Sequence, residues 1–305
     1  MSVFYKQATP TGVWVNLLFW LALSSAQLMA HPEFDAQIDA LTTQLKEQPA
    51  NAELYLSRAD VHRQHAEFGH AFADLAMAGR LKPGWSKVLL VRARIFFDAG
   101  RYQQAARTLE EFLTTEPIHA PALLLRGRCH LKLGQREAAI EDYSAALKAF
   151  AQPNPELFVE RAQIQASMGR FDEALRGLDE GCKRLGQAPV LQQAAIEFER
   201  QRGSFDAALS RTEQLLEVVR EPNTLLLRAG LLEQAGRLRE AQKGFLEILA
   251  LTNAPGVRFT EAFAANLELA RNGLARVEIK LSRLSSQVRN ASPPELLNHA
   301  PLTAP

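Results

Sequence analysis

The chain has 305 residues, of which 47% are hydrophobic, and its 35 Lys and Arg residues almost balance its 34 Asp and Glu residues, giving a net charge of +1. That hydrophobic share is enough for a well-packed structure, and the absence of any long basic block argues against nucleic acid as a partner. Ala, Leu, Glu, Gln and Arg dominate, while β-branched and aromatic runs of period two are missing. This composition predicts helix throughout.

The first 30 residues differ from the rest, because Lys6 is their only charged side chain. Residues 13–23 read VWVNLLFWLAL, the small residues Ser24, Ser25 and Ala26 follow, and Ala30 comes later. A charge, a short apolar run and then small residues is the order of a secretory signal peptide. We therefore predict that residues 1–30 direct export, making the protein periplasmic or secreted. The alternative is an uncleaved anchor in the inner membrane, although the run is shorter than the roughly 20 apolar residues of a span.

A short pattern returns along the chain at steps of 33 to 35 residues. It consists of Gly or Ala, a mostly aromatic residue two positions later, and Ala three positions after that. Its first members are Ala66, Gly100, Gly134, Gly169, Gly203 and Gly236. A fixed period in this range indicates stacked helical units rather than one globular core.

The pattern resembles the tetratricopeptide repeat, in which two antiparallel helices cross at small residues and a Pro stands near the end of the unit. The resemblance implies an all-α fold, a right-handed α-solenoid of about six helix-turn-helix units over residues 51–257. It also implies a scaffold or assembly factor of an exported, bacterial type that is not an enzyme and needs no cofactor.

Both flanks of this array carry helical patterns of their own. Residues 31–50 are predicted to form an N-terminal capping helix, and residues 258–289 a C-terminal helix. The second helix carries an apolar stripe of alternating steps of four and three, which predicts either a cap on the last unit or self-association. Its members are Phe263, Leu267, Ala270, Leu274, Val277, Leu281, Leu284 and Val288. Residues 290–305, rich in Pro and Ala, are predicted to be a disordered tail.

An arginine recurs where the family pattern has Leu, at Arg58, Arg92, Arg126, Arg161 and Arg228. Repetition in most units suits structure better than one ligand site. We expect the apolar stem of each arginine to pack while its head reaches solvent or a carboxylate of a neighbouring unit. The fifth unit departs from the pattern, with Ala195 and Ile196 at the crossing and no such Arg.

The resemblance further implies a concave groove lined by the first helix of each unit. In the central units it predicts an apolar floor and basic walls, which suit a protein or peptide segment with acidic groups. The predicted groove residues are Lys87, Leu90, Arg94, Phe97, Leu124, Arg128, Leu131 and Lys132.

Histidines form the one unusual cluster of chemically active side chains. His62 and His65 lie one helical turn apart, and His70 follows across the predicted turn. Cleavage after Ala30 would leave His31 as the N-terminus, and a terminal His with its free amine binds Cu(II) well. An exported copper-binding accessory protein is therefore the alternative to an interaction scaffold, and a membrane-anchored assembly factor is a third hypothesis.

Overall fold

The computed structural model describes residues 32–186, 188–253 and 260–290. These residues form fourteen α-helices and one short 3-10 turn, Leu251–Asn253, with no strand among them. The helices are α1 Pro32–Glu47, α2 Ala52–Gln64, α3 Phe68–Leu81, α4 Ser86–Asp98, α5 Tyr102–Thr115, α6 Ala120–Lys132, α7 Arg136–Ala149, α8 Pro155–Ser167, α9 Phe171–Leu185, α10 Pro189–Gln201, α11 Phe205–Val218, α12 Pro222–Gln234, α13 Leu238–Ala250 and α14 Glu261–Asn290.

The described helices divide into two compact units, the first holding α1 to α7 and the second α8 to α14. In the first unit α1 packs on α2, and three hairpins follow, α2–α3, α4–α5 and α6–α7. The second unit holds the hairpins α8–α9, α10–α11 and α12–α13, and α14 packs on the last of them. The predicted all-α arrangement of about six hairpins with a single helix at each end is confirmed.

The turn inside each hairpin takes the left-handed backbone conformation that the sequence predicts. Five of the six turns use glycine there, with φ between 73° and 79°. The first hairpin uses Ala66, at φ 59°, which makes it the one non-glycine residue with positive φ among those described. Because a Cβ disfavours this region, Ala66 adds a small strain that the glycines avoid.

Small residues let the two helices of each hairpin approach closely. Ala59 and Ala71 are fully buried in the first hairpin, and their counterparts in the other hairpins repeat the arrangement. At Gly127 an added Cβ would lie 2.9 Å from Cδ2 of Tyr143, which is itself buried. Close packing of this kind leaves no room for a larger side chain at the crossing.

The repeated arginines reach carboxylates, but mostly not in the neighbouring unit that we expected. Arg58 binds Asp74 through two hydrogen bonds of 2.7 and 2.6 Å, and Arg126 binds Asp142 through two of 2.9 and 2.6 Å. Both carboxylates belong to the second helix of the same hairpin. Each arginine meets its aspartate because the two are sixteen residues apart in sequence. That separation brings the second helix back to the point where it crosses the first.

The other arginines at this position vary. Arg228 lies 2.5 Å from Glu213 of the preceding hairpin, as expected, whereas Arg161 lies 3.4 Å from Glu180 of its own second helix. In the fifth hairpin the arginine is on the second helix instead of the first. It is Arg211, which occupies the position equivalent to Asp74 and binds Asp179.

The C-terminal helix uses its apolar stripe inside the chain. Phe263, Leu267, Ala270 and Val277 are buried in one core with Phe245 of α13. Leu274 and Leu281 pack against the same core, whereas Leu284 is 50% exposed. The stripe therefore caps the last hairpin over most of its length.

Glu233 of α12 ties α14 to the last hairpin and should make this contact sensitive to pH. Its buried carboxylate accepts hydrogen bonds from Arg276 at 2.9 Å and Lys280 at 2.8 Å. Burial alone would raise the pKa of Glu233, but these two cations outweigh burial and lower it below its usual value. A lowered pKa stabilises the folded state above the unfolded-state pKa of about 4.3, and the contribution is lost as the pH falls below it.

We therefore expect Glu233→Gln to lower the free energy of unfolding by about 1 kcal/mol at pH 7, with the difference shrinking as the pH falls below about 4.3. Urea unfolding at pH 7, 5, 4 and 3 measures this. Glu268→Gln, the same change at an exposed position of α14, should show no such trend. A difference for Glu233→Gln that stays constant with pH would contradict the assignment.

Several sequence predictions lie outside the described residues. They are the export segment at 1–30, His31 and the tail beyond Asn290. Among the helices that the structure describes, none is both long and apolar enough to cross a membrane.

Candidate functional site

The predicted groove residues lie on one face of α4 and one face of α6, two helices that are in contact. On α4 they follow each other at three and four residues, so they share a face of the helix. Leu90, Arg94 and Phe97 are half-buried there, and Lys87 is exposed. On α6, Leu124 and Arg128 are half-buried, while Leu131 and Lys132 are exposed. We name these eight residues the first-helix face.

Arg94 is the most informative member of the first-helix face. Within the described part of the chain it makes no hydrogen bond and no ion pair, although its side chain is half-buried. On the neighbouring α2, Arg63 instead binds Asp60 and Asp98. Burial lowers the pKa of Arg63, but these two carboxylates outweigh burial and raise it. Arg94 therefore has guanidinium donors available, whereas those of Arg63 are occupied.

Apolar groups accompany the cations of the first-helix face. The ring of Phe97 packs edge-on against Tyr102 with centroids 5.4 Å apart, which holds it in place at the end of α4. Leu131 is 38% exposed, an unusually open position for a leucine beside two basic residues. A fixed aromatic ring, an open leucine and an available guanidinium can together bind an acidic residue that has an apolar neighbour.

Sequence reasoning missed a second basic groove, of about 540 Å³, on the other side of α4. Arg80, Lys82, Trp85 and Arg92 are among the residues that line it. Arg92 has no carboxylate partner among the described residues, because Thr108 stands sixteen residues later, where the first and third hairpins have Asp74 and Asp142. The break in the sixteen-residue Arg–Asp spacing is the sequence signal that could have found this groove.

Three of the four candidate histidines lie together at the turn between α2 and α3. His62 is buried, His65 is half-buried and His70 is exposed. The rings of His62 and His70 are 5.2 Å apart between centroids. Glu67 lies among them, and its hydrogen bond with His62 is the main reason that its pKa is lowered. The structure thus brings together His62, His65 and His70, while His31 lies outside the described residues.

The cysteines add no chemistry to these surfaces. Cys129 and Cys182 are both free thiols, the first buried and the second half-buried. Burial raises the pKa of Cys129 to about 12, so its thiolate is not populated near neutral pH.

Comparison with known proteins agrees with the helical hairpins and their period. A sequence model of the tetratricopeptide repeat matches residues 90–152 and, overlapping them, residues 130–187. Residues 90–187 therefore carry tetratricopeptide repeats. These repeats generally act as non-catalytic scaffolds that bind proteins or peptides.

The relatives are similar to this chain in the repeat region and not over their whole length. Human tetratricopeptide repeat protein 16 is 21% identical over 193 residues, which cover 59% of this chain and 22% of that protein. Tetratricopeptide repeat protein 34 of Xenopus laevis is 36% identical over 81 residues, or 27% and 14% of the two chains. The chain therefore spans less than a quarter of the length of either relative.

A solved structure supports the fold over a longer stretch. The C-terminal part of a repeat-containing protein from Cytophaga hutchinsonii superposes with a TM-score of 0.60 at 14% identity. The match covers 77% of this chain and 95% of the solved one.

Proposed function

We propose that this protein is a non-catalytic interaction scaffold or assembly factor that binds an acidic peptide segment of a partner protein on its first-helix face. The observation that carries the proposal is Arg94, a half-buried guanidinium without a hydrogen-bond or ion-pair partner among the described residues. A half-buried charge without a partner has lost part of its hydration, so an incoming carboxylate restores favourable interactions.

The neighbours of Arg94 suggest what else the segment contains. Phe97 and Leu131 offer apolar contact area, and Lys87 and Lys132 add exposed positive charge. A segment with Asp or Glu next to Leu or Phe fits this combination. The predicted export segment, residues 1–30, supports placing this binding outside the cytoplasm.

Reversing two charges of the first-helix face should abolish most of the binding. Peptides selected from a random displayed library on the full chain should be enriched in Asp and Glu beside apolar residues. Arg94→Glu combined with Lys132→Glu should weaken them at least tenfold, about 1.4 kcal/mol, because the new carboxylates repel those of the peptide. Fluorescence anisotropy of labelled peptides at two salt concentrations measures this.

The matched control is Arg107→Glu with Arg136→Glu, which makes the same charge change at two exposed positions on second helices. It should leave the affinity within about twofold, since exposed charges away from the site act only through a screened field. Selected peptides without acidic enrichment, or equal weakening by both double variants, would contradict the proposal. Loss only in Arg92→Glu would place binding in the second groove instead.

A further inference from the structure

Glu67, which lies at the turn between α2 and α3, is surrounded by three imidazoles. Its Oε2 is 2.6 Å from Nδ1 of His62 and 3.6 Å from Nδ1 of His70. Its Oε1 is 3.4 Å from Nδ1 of His65. The hydrogen bond with His62 is the one short contact of the three. One carboxylate thus faces three ring nitrogens, although it forms a short hydrogen bond with only the nitrogen of His62.

His65 shows that the cluster is not satisfied by its own hydrogen bonds. Its Nδ1 is buried and has no hydrogen-bond partner among the described residues. A buried polar atom without a partner is destabilising, so it calls for an explanation such as an ion that binds there.

Comparison with the third hairpin shows which contacts of His62 belong to the shared fold of the hairpins. There His130 lies 2.6 Å from Gln135 and 3.6 Å from Asp142, and Asp142 binds Arg126. His62 repeats this arrangement with Glu67, Asp74 and Arg58, since Asp74 lies 3.8 Å from its Nε2. The Arg–Asp–His arrangement is therefore structural.

The extra donors of the first hairpin have no counterpart in the third. Gln135 stands where the first hairpin has Glu67, and Ala138 where it has His70. Leu133 stands in place of His65. The third hairpin folds in the same way without these groups, so packing of the hairpin does not account for them.

We propose that His62, Glu67 and His70 bind one divalent transition-metal ion. Each offers a ligand atom, and the three atoms lie within 4.8 Å of one another. Two imidazoles and a carboxylate are a donor set that suits Zn²⁺ or Cu²⁺. Bonds of about 2.1 Å in a tetrahedral site need ligand atoms about 3.4 Å apart. Binding therefore requires the 2.6 Å contact between His62 and Glu67 to lengthen and the exposed His70 side chain to rotate inward.

The surroundings of His62 match those of a metal ligand. When Nδ1 binds the ion, Nε2 faces Asp74, and Asp74 is held by two hydrogen bonds from Arg58. A carboxylate behind a ligating imidazole fixes its orientation and increases its basicity. The unsatisfied Nδ1 of His65 or a water completes the coordination. The bound ion joins the end of α2 to the start of α3.

The test is a Zn²⁺ titration of the metal-free full chain, without a histidine tag and in competition with a chromophoric chelator. One Zn²⁺ should bind per chain at micromolar or lower concentration. Glu67→Gln and His70→Asn should each weaken binding at least tenfold, and Zn²⁺ should raise the Tm of the unchanged chain but not of these variants. A Cu²⁺ titration should show tighter binding at the same residues.

The variants are chosen so that folding does not obscure the result. Glutamine is accepted at the position of Glu67, because Gln135 makes the same contact with His130. His70 is exposed, so His70→Asn removes its surface ring contact with His62 but no buried core packing. His130→Asn, which removes an imidazole from the equivalent place in the third hairpin, should leave the affinity unchanged.

A gain of binding provides the converse test. Gln135→Glu with Ala138→His copies the proposed donors into the third hairpin, and this variant should bind a second Zn²⁺. Two results would overturn the proposal. One is that the unchanged chain binds no Zn²⁺ even at about 100 micromolar, and the other is that Glu67→Gln and His70→Asn bind Zn²⁺ as tightly as the unchanged chain.

Discussion

Replacing Asp142 by alanine is expected to lower the free energy of unfolding by about 3 kcal/mol. The carboxylate of Asp142 is buried and accepts two hydrogen bonds from Arg126, and it also lies 3.6 Å from Nε2 of His130. Removing it leaves a guanidinium that is only 24% exposed without its counter-charge. The hydrogen bonds with Asp142 are also the main cause of the raised pKa of Arg126.

Urea unfolding followed by circular dichroism measures this loss, with Asp206→Ala as the control. Asp206 is 95% exposed at its side chain and lies 3.8 Å from Arg237, so its removal should change stability by less than about 0.5 kcal/mol. Arg126→Leu together with Asp142→Ala should recover at least half of the loss, because no buried charge then remains unpaired. Equal effects of Asp142→Ala and Asp206→Ala would show that the buried pair has no special weight.

Gly273→Ala is expected to destabilise the chain by about 2 kcal/mol, although alanine favours helix over glycine. A Cβ at this position of α14 would lie 2.4 Å from Cζ of Phe245. The ring cannot give way easily, because Phe245 is 1% exposed in the core between α13 and α14. The clash therefore outweighs the gain in helix propensity.

The matched control is Gly230→Ala in the middle of α12. An added Cβ there meets no atom within 4 Å, so propensity alone acts and stability should rise by about 0.5–1 kcal/mol. In both thermal and urea unfolding, the change in stability should therefore have opposite signs for Gly273→Ala and Gly230→Ala. Phe245→Leu in the Gly273→Ala background should cost less than it does alone, because leucine relieves the clash. Stabilisation by Gly273→Ala would contradict the docking of α14.

The eight residues of the first-helix face were predicted from the family resemblance, and they lie on α4 and α6, two helices that are in contact. Which of them has an available charge could not be predicted. Arg63 and Arg94 both lie on first helices of successive hairpins, with Arg94 at the position that Asp60 occupies in the first hairpin. Arg63 has two carboxylate partners, whereas Arg94 has none among the described residues. Partner choice depends on side-chain directions across helices, which a repeat pattern does not encode.

The histidines show the same division. Their spacing placed His62, His65 and His70 around one turn, and the structure brings them together there. The role of Glu67 was not anticipated, because a single Glu among many is no signal until its carboxylate is seen between the rings. The sequence could have indicated it through the comparison of the first and third hairpins, where Gln135 replaces it.

By itself, the sequence determined the period, the helical class and the turn positions of this protein. These follow from local chemistry, since glycine permits positive φ at Gly100 and small residues permit close crossing at Ala59 and Ala71. Only the tertiary structure decided that Arg58 and Arg126 pair within their own hairpins and that α14 caps the last one. The physical reason is that local conformation depends on each residue and its chain neighbours, whereas charge pairing and docking depend on distances between side chains far apart in sequence.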